Sequence, residues 1–357
     1  MIGLRNILAA AACALAFGGG AAAQTPTSPA MPHSLPMTVR YEPLGELPTD
    51  VRDAIRASRT TSEILQISGI ERLSGQILRV DELVFQPNSV LELQSLDKPW
   101  VAIVVRRLKF ADPTAPSAIR RRPDIVAPTG AAGARGSNGR DAKGRQGANG
   151  RNGQAGQRAA PGGDGGTAAL PTVYLIAESV EAGRGTFASG VFAFSIEMPG
   201  IEGGAGGQGG SGGRGGRGSN GRDGNSDAVS CRRSAGDGGD GGASGASGPG
   251  GNGGRGGDGA PIVLVSSAAG LDVLSYARLV TDGAPGGKGG LGGSATKGGE
   301  AGSRGGGRGL CSSGSPGAAG AKGAVGRPGE DGAAGSRGRV FTFALSTRNE
   351  LFVAKEN

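Results

Sequence analysis

The chain offers few side chains that could do chemistry. It has a single histidine, His33, so a histidine-based triad or a histidine-rich metal site is excluded, and no cofactor or metal is expected. Its three cysteines are Cys13, Cys231 and Cys311. Four carboxylates, Asp81, Glu82, Glu92 and Glu178, fall in or near strand-like segments. Placed around one groove they could cleave a polysaccharide; the plainer reading makes them solvated residues between inward-facing apolar ones. The cations include Arg214, Arg217, Arg222 and Arg255, which sit in glycine tracts and are the candidate ligand-binding residues.

The elements that position these residues are unusual. Seventy-five glycines in 357 residues, with few aromatics, leave too little apolar side chain for two conventional cores. The core must be small and repetitive.

Residues 1–23 read as a secretory signal: Arg5, an apolar run from Ile7 to Phe17, and Ala21-Ala22-Ala23 before Gln24. The run is shorter than the ~20 residues a bilayer needs, so no stable membrane insertion is expected. Cleavage would remove Cys13 and leave Cys231 and Cys311 in an oxidising compartment, where a disulfide is expected. Loss of Arg5 takes the net charge from +8 to +7. A basic exported protein meets anionic surface polymers more readily than nucleic acid, secreted, on the cell surface or in the periplasm.

Residues 24–48, rich in Pro, Ser and Thr, read as a tether, and 49–62 as a short helical cap with Thr49 as N-cap and Val51 and Ile55 on one face. Apolar residues then recur with one spacing. Val101, Ile103, Val105, Leu108 and Phe110 overlay on Val173, Leu175, Ala177, Val180 and Ala182, and again on Ile262, Leu264, Ser266, Ala269 and Leu271. Leu78, Val80, Leu83 and Phe85 carry the last four places. Short strands that keep one face inward across a turn predict an all-β fold with a short parallel β-solenoid core. Its rungs are expected over 63–129, 167–199, 260–282 and the terminal 339–357, with 90–93, 187–196 and 271–280 completing turns. A β-sandwich of the same strands is the rival.

Three glycine-rich excursions interrupt the core, at 130–166, 200–259 and 283–338. Glycine falls on every third place, with aperiodic tips at 225–235 and 308–313 that contain Cys231 and Cys311. Period three is that of polyproline II, so each excursion is expected to be a hairpin of two such limbs. Limbs with glycine at two of three places suit a bundle interior; those with one, such as 314–338, suit its edge. A collagen triple helix, a disordered linker and an RNA-binding RGG tract are the competing readings, the last lacking aromatics to stack on bases.

With low proline and a return to a β core, this pattern resembles the polyglycine II bundles of phage tail-fibre adhesins and of small glycine-rich antifreeze proteins. Segments such as PTVYLIAES between glycine tracts are similar to exported bacterial collagen-like proteins. The resemblance implies an architecture and assigns no functional residue. The expected role is an exported structural or adhesive scaffold that contacts an anionic polymer or polysaccharide through Arg, Asp and Asn; the alternative is a carbohydrate-active enzyme on a strand face.

Overall fold

The computed structural model describes residues 41–182, 192–345 and 351–352, which belong to one compact unit. The signal, His33 and residues 187–191 lie outside them. In chain order the elements are β1 (Tyr41–Pro43), α1 (Thr49–Ala57), β2 (Ser62–Ile67), β3 (Ile70–Leu73), β4 (Ile77–Phe85), β5 (Ser89–Leu93), β6 (Trp100–Phe110), β7 (Ser117–Arg121), β8 (Arg145–Gln146), β9 (Asn149–Gly150), β10 (Thr172–Ala182), β11 (Phe194–Glu197), β12 (Asn225–Ser226), β13 (Cys231–Arg233), β14 (Ile262–Ser266), α2 (Ala268–Ser275), β15 (Arg278–Val280) and β16 (Val340–Ala344).

The fold is all-β in character, built on two parallel sheets. One runs β1-β16-β14-β10-β6-β4-β2 and the other β15-β11-β7-β5-β3. The chain alternates between them, and every excursion leaves the second sheet, after β7, β11 or β15, and rejoins the first at β10, β14 or β16. Pairing follows the apolar overlay. Val101, Ile103, Val105, Leu108 and Phe110 face Val173, Leu175, Ala177, Val180 and Ala182, and Leu78, Val80, Leu83 and Phe85 face Ile103, Val105, Leu108 and Phe110. These residues form one core between the sheets, with Phe85, Phe110 and Phe194 in mutual ring contact.

Three expectations are corrected. Ile262, Leu264 and Ser266 pair with Val173, Leu175 and Ala177, but Ala269 and Leu271 lie on α2, whose N-cap Ser267 accepts a hydrogen bond from Gly270 N. A strand at 271–280 therefore shrinks to β15. Helix α1 begins at Thr49, with Pro48 as N-cap and no side-chain cap bond, because proline's fixed φ serves the start of a helix without a capping oxygen. It ends at Ala57, short of 62. The alternate residues of the first sheet are also apolar: Ala102, Val104, Tyr174, Ile176, Val263 and Val265 pack with Val51, Ile55, Leu351 and Phe352 in a second core. Near-continuous apolar strands are what a parallel sheet covered on both faces requires. Buried Arg79 closes that layer, donating to Ile55 O at 2.7 Å, Ser58 O at 3.3 Å and Leu351 O at 3.1 Å.

The excursions make six limbs, numbered 1 (130–142), 2 (148–166), 3 (200–224), 4 (236–259), 5 (283–307) and 6 (314–338). Limbs consecutive in the chain run antiparallel with backbone bonds every third residue, as in Gly163 N to Ala131 O, Gly210 N to Ala160 O, Gly245 N to Gly213 O, Gly290 N to Gly251 O and Gly329 N to Gly290 O, all 2.7–3.0 Å. Limbs two apart run parallel, as in Gly139 N to Arg214 O, Gly153 N to Asp240 O, Gly218 N to Glu300 O and Gly253 N to Glu330 O, all 2.7–2.9 Å. Limbs 1, 3 and 5 form one layer and limbs 2, 4 and 6 the other.

Such spacing leaves no room for a side chain at most places on the facing ridges: a Cβ on Gly207 would overlap Ala131 O, and one on Gly242 would overlap Gln154 O. Limb 6, with one glycine in three, lies at an edge. Limb 5, with two in three, lies at an edge as well, against the expectation of an interior place; one of its glycine ridges faces limb 6 and the other limb 3. Where its glycine phase lapses, hydroxyls substitute, Ser247 Oγ donating to Ser294 O at 2.7 Å and Thr296 Oγ1 to Gly212 O at 3.0 Å.

Candidate functional site

The strand carboxylates lie in rows with cations. Asp81 pairs with Arg106 at 3.1 Å, and Glu82 with Arg107 at 3.1 Å and Lys109 at 2.9 Å. The hydrogen bond from Lys109 is the chief reason the Glu82 carboxyl lies below its ordinary value. Glu92 is buried between Arg72 at 3.5 Å and Arg120 at 3.2 Å, its register neighbours in β3 and β7. Glu178 lines a shallow depression with Asp81, Arg106, Arg107 and Ser179. Cross-strand ion pairing accounts for Asp81, Glu82 and Glu92. Among the described residues no group of His, Cys, Asp and Glu is arranged to hold a metal.

Cys231, in β13, is disulfide-bonded to Cys311, their Cα atoms 4.9 Å apart. The bond clasps the tip of the second excursion to that of the third. In the same tip, Asp227 Oδ1 accepts from Val229 N and Ser230 N and Oδ2 from Arg232 Nε at 2.8 Å. These bonds, that to Arg232 foremost, hold its carboxyl at about 2.

The asparagines and aspartates of the limbs use Oδ1 to hold a neighbouring limb. Asn138 Oδ1 accepts from Arg214 N at 3.0 Å, while Gly139 N donates to Arg214 O at 2.7 Å. Two adjacent residues of one limb thus clamp a single residue of the parallel limb. The same arrangement recurs at Asp141, Asn149, Asn152, Asp164, Asn220, Asp223, Asp237, Asp240, Asn252 and Asp258, and the clamped residues are Arg217, Asp237, Asp240, Asn252, Ser303, Gly306, Ser315, Ala318, Glu330 and Ser336. Clamps join in rows across three limbs: Asn149 holds Asp237, which holds Ser315. Ten of the eleven are Asn-Gly or Asp-Gly, Ala142 following Asp141. The repeated Asx-Gly dipeptide was the sequence signal for this role.

The four arginines expected to bind ligand do not form one site. Arg214 and Arg217 project from limb 3 and line a depression with Asn138, Asp141 and Glu300, where Arg217 lies 3.8 Å from Glu300. Arg255 is on limb 4, in the other layer, bonded to Asp258 at 2.7 Å. Arg222 is half-buried, its Nε enclosed without a hydrogen-bond partner.

A denser cationic group lies on the first excursion. Between residues 130 and 160 stand Arg135, Arg140, Lys143, Arg145, Arg151 and Arg158 against one carboxylate, Asp141, and all six cations are exposed. Arg140, Lys143 and Arg151 line an open depression of about 650 Å³ with Asp141, Asn152 and Gln154. Asp141 Oδ1 is taken up by Arg217 N at 2.7 Å. The run of cations was visible in the sequence; which of them limbs 1 and 2 would bring to one surface, such as Arg140 and Arg151, eleven residues apart, was not.

No family model matches the chain, and no curated protein matches it. Among solved structures, a springtail antifreeze protein from Granisotoma rainieri, described as a nine-helix polyproline type II bundle, is 25% identical over 52% of this chain and 94% of that one. The TM-score is 0.10, far below that of a shared fold.

Proposed function

We propose that this protein is an exported structural or adhesive scaffold: a short β-solenoid from which three polyglycine II hairpins project and present a basic edge to an anionic surface polymer or polysaccharide. Period-three bonding between glycine limbs supports the hairpins, and the alternation between two parallel sheets supports the solenoid. Limbs of about 25 residues at ~3.1 Å per residue project roughly 75 Å. The signal-like segment at 1–23 supports export.

The observation that carries the binding role is the cluster Arg140, Lys143 and Arg151, which no carboxylate approaches within ion-pair distance among the described residues. Exposed cations held on a rigid edge attract a polyanion in a salt-dependent way. Co-sedimentation with polygalacturonate, against neutral dextran as control, tests this. Wild-type protein is expected to bind the acidic polymer at low salt and release it at high salt. Arg140→Ala/Lys143→Ala/Arg151→Ala loses most of that binding and Arg255→Ala little. Equal binding to dextran, or an unimpaired triple variant, refutes the reading.

A further inference from the structure

Five of the clamps are made by Asn-Gly: Asn138, Asn149, Asn152, Asn220 and Asn252. An asparagine before glycine is prone to cyclise, because the unhindered glycine nitrogen reaches the side-chain carbonyl carbon. In that step the Gly N to Asn Cγ bond forms, the Cγ to Nδ2 bond breaks, and ammonia leaves with the glycine proton. Water then opens the succinimide at either carbonyl, giving aspartate or isoaspartate.

The clamp engages both reacting groups. At Asn252, Gly253 N donates to Glu330 O at 2.8 Å, and Asn252 Oδ1 accepts from Glu330 N at 3.0 Å. To cyclise, the glycine must give up its bond and proton, and the carboxamide must turn from the neighbouring limb toward its own backbone. We propose that these Asn-Gly pairs are modification sites that react when the limbs part, so that isoaspartate accumulates as a chemical record of local opening. The two products differ in consequence. Aspartate already serves at six clamps, so that product keeps the bundle closed. Isoaspartate lengthens the main chain by one methylene and moves every later glycine off its ridge.

Position sets the order of reaction. Asn138 lies on limb 1, at an edge. Asn252 lies on limb 4, with neighbours on both sides, and its own nitrogen is held by Asp164 Oδ1 at 2.7 Å.

The test is peptide mass mapping with isoaspartyl methyltransferase labelling of the oxidised full-length mature protein in mildly alkaline buffer, beside the same protein reduced in guanidinium. In denaturant the five sites are expected to react at similar rates. In the native protein all are slowed, Asn252 by at least about tenfold, and Asn138 leads. Cys231→Ser/Cys311→Ser, which frees the tips, accelerates Asn220 selectively. Equal rates in native and denatured protein, or a native Asn252 as fast as Asn138, overturn the proposal.

Discussion

Asn252 grips Glu330 at both its backbone polar groups, by its own carboxamide oxygen on the nitrogen and through the following glycine on the carbonyl. Removing the side-chain half, as in Asn252→Ala, is expected to cost about 1 kcal/mol, the usual net worth of a hydrogen bond. Asn252→Asp keeps the acceptor and is expected to melt within a degree or two of wild type. Thermal unfolding of the two variants checks the pair.

Gly207→Ala drives a methyl group into Ala131 O. Close-packed backbone cannot give way as a side chain can, and a loss of ~1–3 kcal/mol or more is expected. Gly45→Ala, where nothing lies within 4 Å, is expected to be neutral or slightly stabilising. Urea midpoints for the two variants separate the effect of packing from that of glycine content.

Arg79→Met retains much of the buried aliphatic bulk and loses three hydrogen bonds to carbonyls. Burial lowers the guanidinium's pKa from its ordinary value, yet Arg79 remains charged at neutral pH, and bonds from a charged donor are worth roughly 1.5–3 kcal/mol. A loss of at least that size is expected, with faster amide exchange in α1 as its local sign.

The disulfide closes a loop with a sequence separation of 80, for which chain entropy predicts about 4 kcal/mol. Reduction is expected to lower the unfolding midpoint, and hydrogen exchange should rise first at 225–235 and 308–313. The core strands β6 and β10 should change least.

Acid should loosen the same tip. Asp227 titrates at about 2 when folded against an ordinary 3.8. A depressed folded value means that its contribution is complete above the ordinary value and is lost as pH falls from near 4 through 2. Asp258 and Asp331 are lowered too, the first chiefly by its backbone bond from Ser336 and the second by Lys288. Amide protection at Val229 and Ser230, followed from neutral pH to pH 2, should fall across that window; protection that stays constant contradicts the assignment.

The strand register was legible because inward positions repeat as one spacing, and Val101, Val173 and Ile262 meet as overlaid. The second core was not, although both faces of WVAIVV and IVLVS are apolar: periodicity cannot say what covers an outer face. Helix α2 hid because Ala269 and Leu271 continue the strand spacing, and Ser267 was the overlooked cap. The candidate binders named from the sequence all lie in the second excursion, whereas the cluster at Arg140 depends on how limbs 1 and 2 fold back together. The Asx-Gly clamps were written in the sequence as a repeated dipeptide, but their partners lie 76 to 88 residues away, beyond any local pattern.

The clamps also stop in a telling place. All eleven lie on limbs 1 to 4, while Asp331 of limb 6 accepts from Gly289 N of the antiparallel limb 5 at 2.9 Å. The first two excursions thus each reach forward to grip the next, and the third grips only within itself. A fourth excursion would need new acceptors on limbs 5 and 6 and also another strand in each sheet, since every excursion leaves one sheet and rejoins the other. The width of the bundle and the length of the strand stack therefore rise together.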